Sequence, residues 1–290
     1  MGVRIGVVGS VNLDLVASGA PLPSAGETIT GARFAQHPGG KGANQALAAK
    51  RLGADVFMIG RTGADALADP ALDLLRRDGV DVGGVMAELG ESTGMALISV
   101  SPEGENQITV ASGANMTLSH DAAMNLPDCN AILCQLEVPL AAIQGAAERA
   151  KACGALFAVN LAPATALPSE LLSQIDLIIV NEIEGAYYGD ALYTDCVRVA
   201  VTYGAKGCAL FDRGLEVARA RAFDVPVVDT TGAGDTFCAG LVVALSEGKA
   251  AQDALNFASA AAALSVTKQG AQPSLPWRAD VEALLKQAAT

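Results

Sequence analysis

Seven short apolar runs punctuate this chain, at residues 4–9, 56–59, 131–136, 156–159, 177–180, 198–201 and 208–211. Between many of them lie amphipathic stretches with a helical period, as at 42–52, 66–77, 139–153 and 167–173. Apolar runs without polar alternation need cover on both faces, and helices between them supply it. The pattern predicts a three-layer α/β/α fold around a mostly parallel sheet. With 290 residues, 51% of them hydrophobic, the chain can bury a core of that size as one α/β domain spanning 1–290.

Ligands of such sheets bind beyond the carboxyl ends of the strands. Polar residues follow one run after another: Asn12 and Asp14, Glu137, Asn160, Asn181 and Glu184, Thr202 with Gly204, then Asp229. Taken singly, each is an ordinary cap or turn former. As a series they predict one polar rim along one edge of the sheet. Two pieces break the alternation, at about 13–38 and 92–112, and neither has a helical period. They predict a small β lid over the rim, with solvated surface decoration as the alternative. A lid would keep water from competing for a transferred group.

Charge narrows the partners. Nineteen Lys and Arg stand against 31 Asp and Glu, a net charge of −12, which argues against nucleic acid or an anionic membrane surface. An acidic chain that binds a nucleotide needs helix N-termini, a lysine or two, and a metal ion. Cys129, Cys134, Cys153, Cys196, Cys208 and Cys238 form no C-x-x-C pair and read as small hydrophobes in a reducing compartment. No apolar run approaches the length of a membrane span, so a cytoplasmic protein is expected.

Two glycine-rich stretches carry the chemistry. In Asp229-Thr230-Thr231-Gly232-Ala233-Gly234-Asp235-Thr236-Phe237, a strand-like segment (223–228) runs into a small-residue turn that opens a helix. The first-turn N–H groups of that helix lack intrahelical partners and can cradle a phosphate. Asp235 sits in that turn, where its carboxylate can take a proton from a hydroxyl; the bland alternative is a dipole partner. The second stretch, Gly39-Gly40-Lys41-Gly42-Ala43-Asn44-Gln45-Ala46, opens another helix. Its glycines would let a small polyol approach the backbone, with Lys41 and Asn44 on one face. A Walker P-loop is excluded because Gly42, not Ser or Thr, follows Lys41. His37 and His120 belong to no catalytic set.

Together these stretches resemble the paired signatures of the ribokinase-like (PfkB) carbohydrate kinases. Pro23–Thr30, Gly90–Gly94, Gly104–Asn106, Gln135–Glu137, Asn181–Glu184 and Gly270–Ser274 match family segments in the same order. The resemblance implies an ATP-dependent sugar kinase. Its preferred acceptor is the 5-hydroxyl of D-ribose; alternatives are deoxyribose, another sugar, a nucleoside, or a non-catalytic sugar-binding regulator. It implies Asp235 as general base, with an anion hole from the amides of Ala233, Gly234 and Asp235. Asn12, Asp14, Gly40, Lys41, Asn44 and Glu137 would hold the sugar. Asn181 and Glu184 would organise Mg²⁺ and phosphate through water, and Thr202, Gly204, Gly207 and Gly232 would lie along the nucleotide. A K⁺ site is implied at Asp229, Thr231, Ser265, Lys268, Gly270 and Ser274, as is a homodimer formed through the lid.

The chain departs from the family twice. Between Glu184 and Val201 it is shorter by about one helix, beside the nucleotide edge. Ser259 stands at or near a position where relatives often place a larger polar residue by the adenine. Both bear on ATP affinity, and neither touches the sugar side.

Overall fold

A computed structural model describes residues 2–190, 192–193 and 198–288 of the protein. In chain order its strands are β1 (Arg4–Val8), β2 (Asn12–Ser18), β3 (Arg33–Gly39), β4 (Asp55–Gly63), β5 (Asp81–Glu88), β6 (Gly94–Val100), β7 (Asn106–Ala111), β8 (Ala131–Gln135), β9 (Leu156–Asn160), β10 (Leu177–Asn181), β11 (Arg198–Thr202), β12 (Cys208–Asp212) and β13 (Leu215–Ala220). The helices are α1 (Lys41–Arg51), α2 (Ala68–Arg77), α3 (His120–Met124), α4 (Leu140–Cys153), α5 (Ser169–Leu172), α6 (Glu182–Tyr188), α7 (Ala233–Ser246), α8 (Ala251–Ser265), α9 (Ala271–Ser274) and α10 (Arg278–Ala288).

Among the described residues the main sheet has nine strands in the order β13-β12-β11-β10-β9-β8-β1-β4-β5. From β11 to β5 every pair is parallel; β12 and β13 close one end as antiparallel strands. Successive strand residues face opposite ways, and the core divides accordingly. Ile5, Val7, Leu133 and Ile179 enter one half with α1, α7 and α8, while Val8, Ile132, Cys134 and Val180 enter the other with α4. The expected three-layer α/β/α architecture is what the chain forms. From β1 the chain crosses to β4 on one side and later returns to β8 on the other, so the strand order reverses at β1. A crevice forms beyond the strand ends at such a reversal.

Helix α7 is the innermost helix. Ten consecutive residues, Asp235 to Ala244, are buried, as expected of a helix that is apolar on every side. Phe237, Leu241 and Val242 each contribute about 2 kcal/mol by leaving water. A methyl group at Gly240 would lie 3.1 Å from the Ala258 Cα, so this glycine sets how closely α7 packs on α8.

Two of the sequence expectations are corrected, and the expected small sheet built from two separate pieces of chain is present. Residues 223–228 form no strand. Pro226 lacks a backbone donor, Val227 and Val228 are exposed, and the segment reaches the fold through the Val228 and Asp229 amides, which donate to the Val266 carbonyl. Asp229 therefore does not end a strand. Strands β5 and β13, in which polar and small residues dominate, carry no apolar run. A separate four-stranded sheet, β3-β2-β6-β7, combines the two irregular pieces: β2 pairs antiparallel with β3 and parallel with β6, and β6 pairs antiparallel with β7. The shortened connection after Glu184 begins as α6; Ala191 and residues 194–197, Cys196 among them, lie outside the described residues.

Arg51 ties the C-terminal segment to this frame. It is buried at the end of α1, its Nε is 2.7 Å from Asp78, and its Nη1 donates to the carbonyls of Gln272 (2.9 Å) and Leu275 (2.8 Å). The guanidinium lies 5.4 Å from the Trp277 ring centroid. Removing one partner of a buried ion pair leaves the other uncompensated. Arg51→Ala is expected to lower unfolding free energy by about 3 kcal/mol, measured by urea denaturation; Arg51→Lys, unable to span both carbonyls and Asp78, recovers less than half of it.

Candidate active site

Two helix starts and three strand ends meet at the reversal point. Helix α1 opens at Lys41 directly after Gly40, whose φ of 87° suits glycine. A methyl at Gly42 would lie 2.5 Å from Gly9 C and Ser10 N, one at Gly40 2.8 Å from Asn12 N, and one at Gly39 2.5 Å from an Asp14 oxygen. These glycines thus admit the β1–β2 backbone and the Asp14 carboxylate. The Ala43 amide donates to the Ser10 carbonyl at 2.9 Å, closing the contact.

That docking aims α1 at α7. Asn44 Nδ2 donates to Asp235 Oδ2 at 2.9 Å, and Gln45 Nε2 donates to Asp235 Oδ1 at 2.9 Å. Asp235 is buried in the first turn of α7. Across the β1/β8 crevice, Glu137 Oε2 accepts from Ser10 Oγ (2.5 Å) and from the Lys41 amide (3.1 Å). Asn12, also buried, accepts at Oδ1 from Asn115 Nδ2 at 2.7 Å. Asn44 Oδ1 is buried and has no protein partner, which leaves an acceptor for an incoming hydroxyl.

Carboxylates crowd this space. Burial pushes the Asp14 carboxyl up to about 6, and the charges of Glu137 and Asp235 add to it. The Lys41 ammonium is held above its ordinary range chiefly by Asp235, against its own burial and with help from Glu137 and Glu184. Glu184 is raised by burial although the Asn181 amide and Lys41 oppose this. Asn181 and Glu184 form a reciprocal cap on α6, each side chain accepting the other's backbone N–H at 2.8 Å.

Asp235 opens onto a cavity of about 140 Å³ that also meets Lys41, Asn181, Glu184, Gly232 and Gly234. Asn181, Thr202, Gly234 and Phe237 border both this cavity and a larger one of about 650 Å³. Gly204, Gly207, Ala233 and Ser259 line the larger cavity, with apolar walls from Phe223, Val225 and Val266. The Ser259 hydroxyl donates to the Arg221 carbonyl at 3.2 Å. Gly232, with φ 79°, ends the turn before α7. The Ala233 amide donates to the Thr230 carbonyl and that of Thr236 to Gly232, while the Gly234 and Asp235 amides have no backbone acceptor among the described residues. An anion in the smaller cavity would meet those two amides.

Behind the turn, Asp229 Oδ1 accepts from Thr231 N (2.9 Å) and Oγ1 (2.6 Å), and Oδ2 accepts from the Gly270 amide (2.8 Å). Burial works against it, but these bonds hold the Asp229 carboxyl below its ordinary value. Ser265 and Ser274 are buried with hydroxyls bonded to Ala262 and Ala271 carbonyls, and Lys268 is exposed in the intervening turn. Sequence reasoning gave no role to Ser10, Gln45 or Asn115. Gln45 lay within a stretch already singled out, but its contact 190 residues away had no local signal.

A deep apolar cavity leading to a helix-start anion site and a buried carboxylate is the arrangement of a phosphoryl-transfer enzyme. The sequence signature described as pfkB family carbohydrate kinase spans residues 4–278. The chain is 40% identical to ribokinase of Haemophilus influenzae, over 97% of this chain and 98% of that one. To ribokinase of Bacillus subtilis it is 38% identical, over 97% and 99%. The structure of Arabidopsis thaliana ribokinase complexed with ribose and ATP superposes with a TM-score of 0.89 at 34% identity, covering 99% of both chains. This chain belongs to the pfkB family of carbohydrate kinases.

The raised Asp14 predicts a stability effect. The folded state binds a proton on Asp14 that the unfolded chain releases, so the group's contribution falls as pH rises from about 4 through about 6. Asp14→Asn is expected to stabilise the ligand-free protein at pH 7 by on the order of 2 kcal/mol, with little effect near pH 4. Thermal unfolding at both pH values measures it.

Proposed function

We propose that this protein is an ATP-dependent ribokinase, transferring the γ-phosphoryl group of ATP to the 5-hydroxyl of D-ribose. The observation that carries the reading is Asp235 itself. Its carboxylate joins the polar pocket of Asn12, Asp14, Asn44 and Glu137 to the small cavity beside the Gly234 amide, and from there to the 650 Å³ nucleotide-sized cavity. Relatives named ribokinase at 36–40% identity support the substrate. The Arabidopsis enzyme, with ribose and ATP bound, supports both.

In this mechanism Asp14, Asn44, Glu137 and Lys41 orient the sugar so that its 5-hydroxyl faces Asp235. Asp235 takes the hydroxyl proton as the oxygen attacks the terminal phosphorus, and the amides of Gly234 and Asp235 stabilise charge on the phosphoryl oxygens. Lys41, between Asp235 and Glu184, adds a fixed positive charge. The four-stranded sheet would act as the lid, excluding water.

Magnesium, when bound, neutralises phosphate charge. Glu184 and Asn181, at the smaller cavity, would suit an ion that keeps most of its water. The oxygen-only set of Asp229, Ser265, Ser274 and the carbonyls of Lys268 and Gly270 suits K⁺, which would stiffen the anion turn through Thr231. Phe34, Leu97, Ile108 and Val110 expose apolar surface on the small sheet, which suits a homodimer through the lid. Among the described residues no helix is long and apolar enough to cross a membrane; use of ATP and free thiols suits a cytoplasmic setting.

ADP release across a panel of pentoses, hexoses and nucleosides tests the reading: D-ribose is expected to give the highest kcat/KM, and a preferred nucleoside contradicts it. Asp235→Asn is expected to lower kcat by about 10³-fold while ribose affinity by calorimetry changes less than about tenfold; retained turnover contradicts the base assignment. Replacing K⁺ by Na⁺ is expected to lower kcat in the native enzyme and to have no further effect in Asp229→Ala.

A further inference from the structure

Asp235 is held from behind by a chain of buried amides. Gln45 Nε2 donates to Asp235 Oδ1 at 2.9 Å and to Asn160 Oδ1 at 3.2 Å. Gln45 Oε1 accepts from Gln135 Nε2 at 2.6 Å. Asn160 Nδ2 in turn donates to the Ile179 carbonyl at 3.1 Å. Gln45 and Gln135 are wholly buried and Asn160 nearly so. Gln135 and Asn160 end β8 and β9 side by side, and Ile179, at the middle of β10, lies in register with Asn160.

The chain fixes polarity as well as position. A side-chain amide can turn over and exchange its donor and acceptor ends, but a peptide carbonyl cannot. The Ile179 carbonyl requires the Asn160 NH₂ group, which turns the Asn160 oxygen toward Gln45 and the Gln45 NH₂ group toward Asp235. Gln135 follows the same choice, donating to the other end of Gln45. A flipped Gln45 would face the carboxylate oxygen-to-oxygen. The arrangement carries a cost, because Gln135 Oε1 is buried without a partner. A polar device kept at such a cost in an otherwise apolar core specifies geometry.

We propose that Gln45 is a positioning residue for the phosphoryl-transfer base, and that the Ile179–Asn160–Gln45 amide chain holds the Asp235 carboxylate oriented toward the substrate hydroxyl. The inference rests on the reading of Asp235 as that base. Hydrogen bonds donated to a carboxylate favour its charged form, and the bond to Oδ1 fixes the carboxylate plane, leaving Oδ2, on the Asn44 side, to accept the proton. Asn44 has an unpartnered oxygen available to a ligand, whereas Gln45 is wholly buried and its hydrogen bonds are to protein groups. The other titratable groups around Asp235 are Lys41 on α1, Asp14 on β2, Glu137 after β8, Glu184 on α6 and the Cys238 thiol on α7. None of them bonds to Gln45.

The test is the pH profile of kcat with ribose and ATP in the full-length enzyme. Gln45→Glu keeps the shape and the Gln135 bond but turns an acceptor toward Asp235. The acid limb of kcat is expected to move upward by one pH unit or more, with kcat at pH 7 down at least tenfold and ribose KM within about threefold. Gln45→Met, which removes the donor without adding charge, is expected to move the limb the same way by less. A packing role alone would lower active enzyme at every pH and leave the limb in place in Gln45→Met, which adds no charge beside Asp235, and that result overturns the proposal. If Gln45→Glu does not fold, an unmoved limb in Gln45→Met is sufficient to overturn it. Asp235→Asn separates the two readings: if it remains active, the base assignment falls; if it is inactive and the limb is unmoved in the Gln45 variants, only the present inference falls.

Discussion

The grip of two consecutive α1 amides on the Asp235 carboxylate is the contact on which this architecture turns. Asn44 and Gln45 reach Asp235 only because α1 docks on the β1–β2 turn through Gly42 and Gly40, where any side chain would collide with backbone. Asp235 is there to be met because α7 is buried along most of its length and held against α8 at Gly240. Core packing of two helices thereby becomes the placement of one charged group. Both helices begin at the crevice, so the orphan amides of the α7 start and the polar start of α1 face the same space.

Charge in that space is left unbalanced. Asp14, Glu137, Glu184 and Asp235 surround the single ammonium of Lys41. Without ligands the cost appears in Asp14 and Glu184, both of which favour a proton more than they would in water. Such strain is typical of sites that wait for a ligand. In the proposed mechanism, sugar hydroxyls would offer donors to Asp14 and Glu137.

Much of this was legible in the sequence, for definite reasons. Apolar runs such as 131–136 and 177–180 identified parallel strands because both of their faces are buried, and polar residues just beyond them, Glu137 and Asn181, lined the crevice. The two glycine-rich helix starts pointed to Asp235, Lys41 and Asn44. Three features escaped. Residues 223–228 have the apolar content of a strand yet run along the larger cavity, where Phe223, Val225 and Val227 form part of its wall. The glycines of α1 serve backbone docking, which depends on a partner strand elsewhere in the chain. Gln45 and Asn115 act through contacts more than 100 residues away, and no local period marks a residue that bonds across the fold.

In the proposed mechanism the sugar's primary hydroxyl lies between Asp235 and the terminal phosphate of ATP. A crystal structure with ribose and a non-hydrolysable ATP analogue measures this directly. The 5-hydroxyl oxygen is expected within about 3 Å of an Asp235 carboxylate oxygen, with the terminal phosphate against the Gly234 amide. A ribose bound with that hydroxyl against Asp14 or Glu137, and Asp235 bonded only to Asn44 and Gln45, would contradict it.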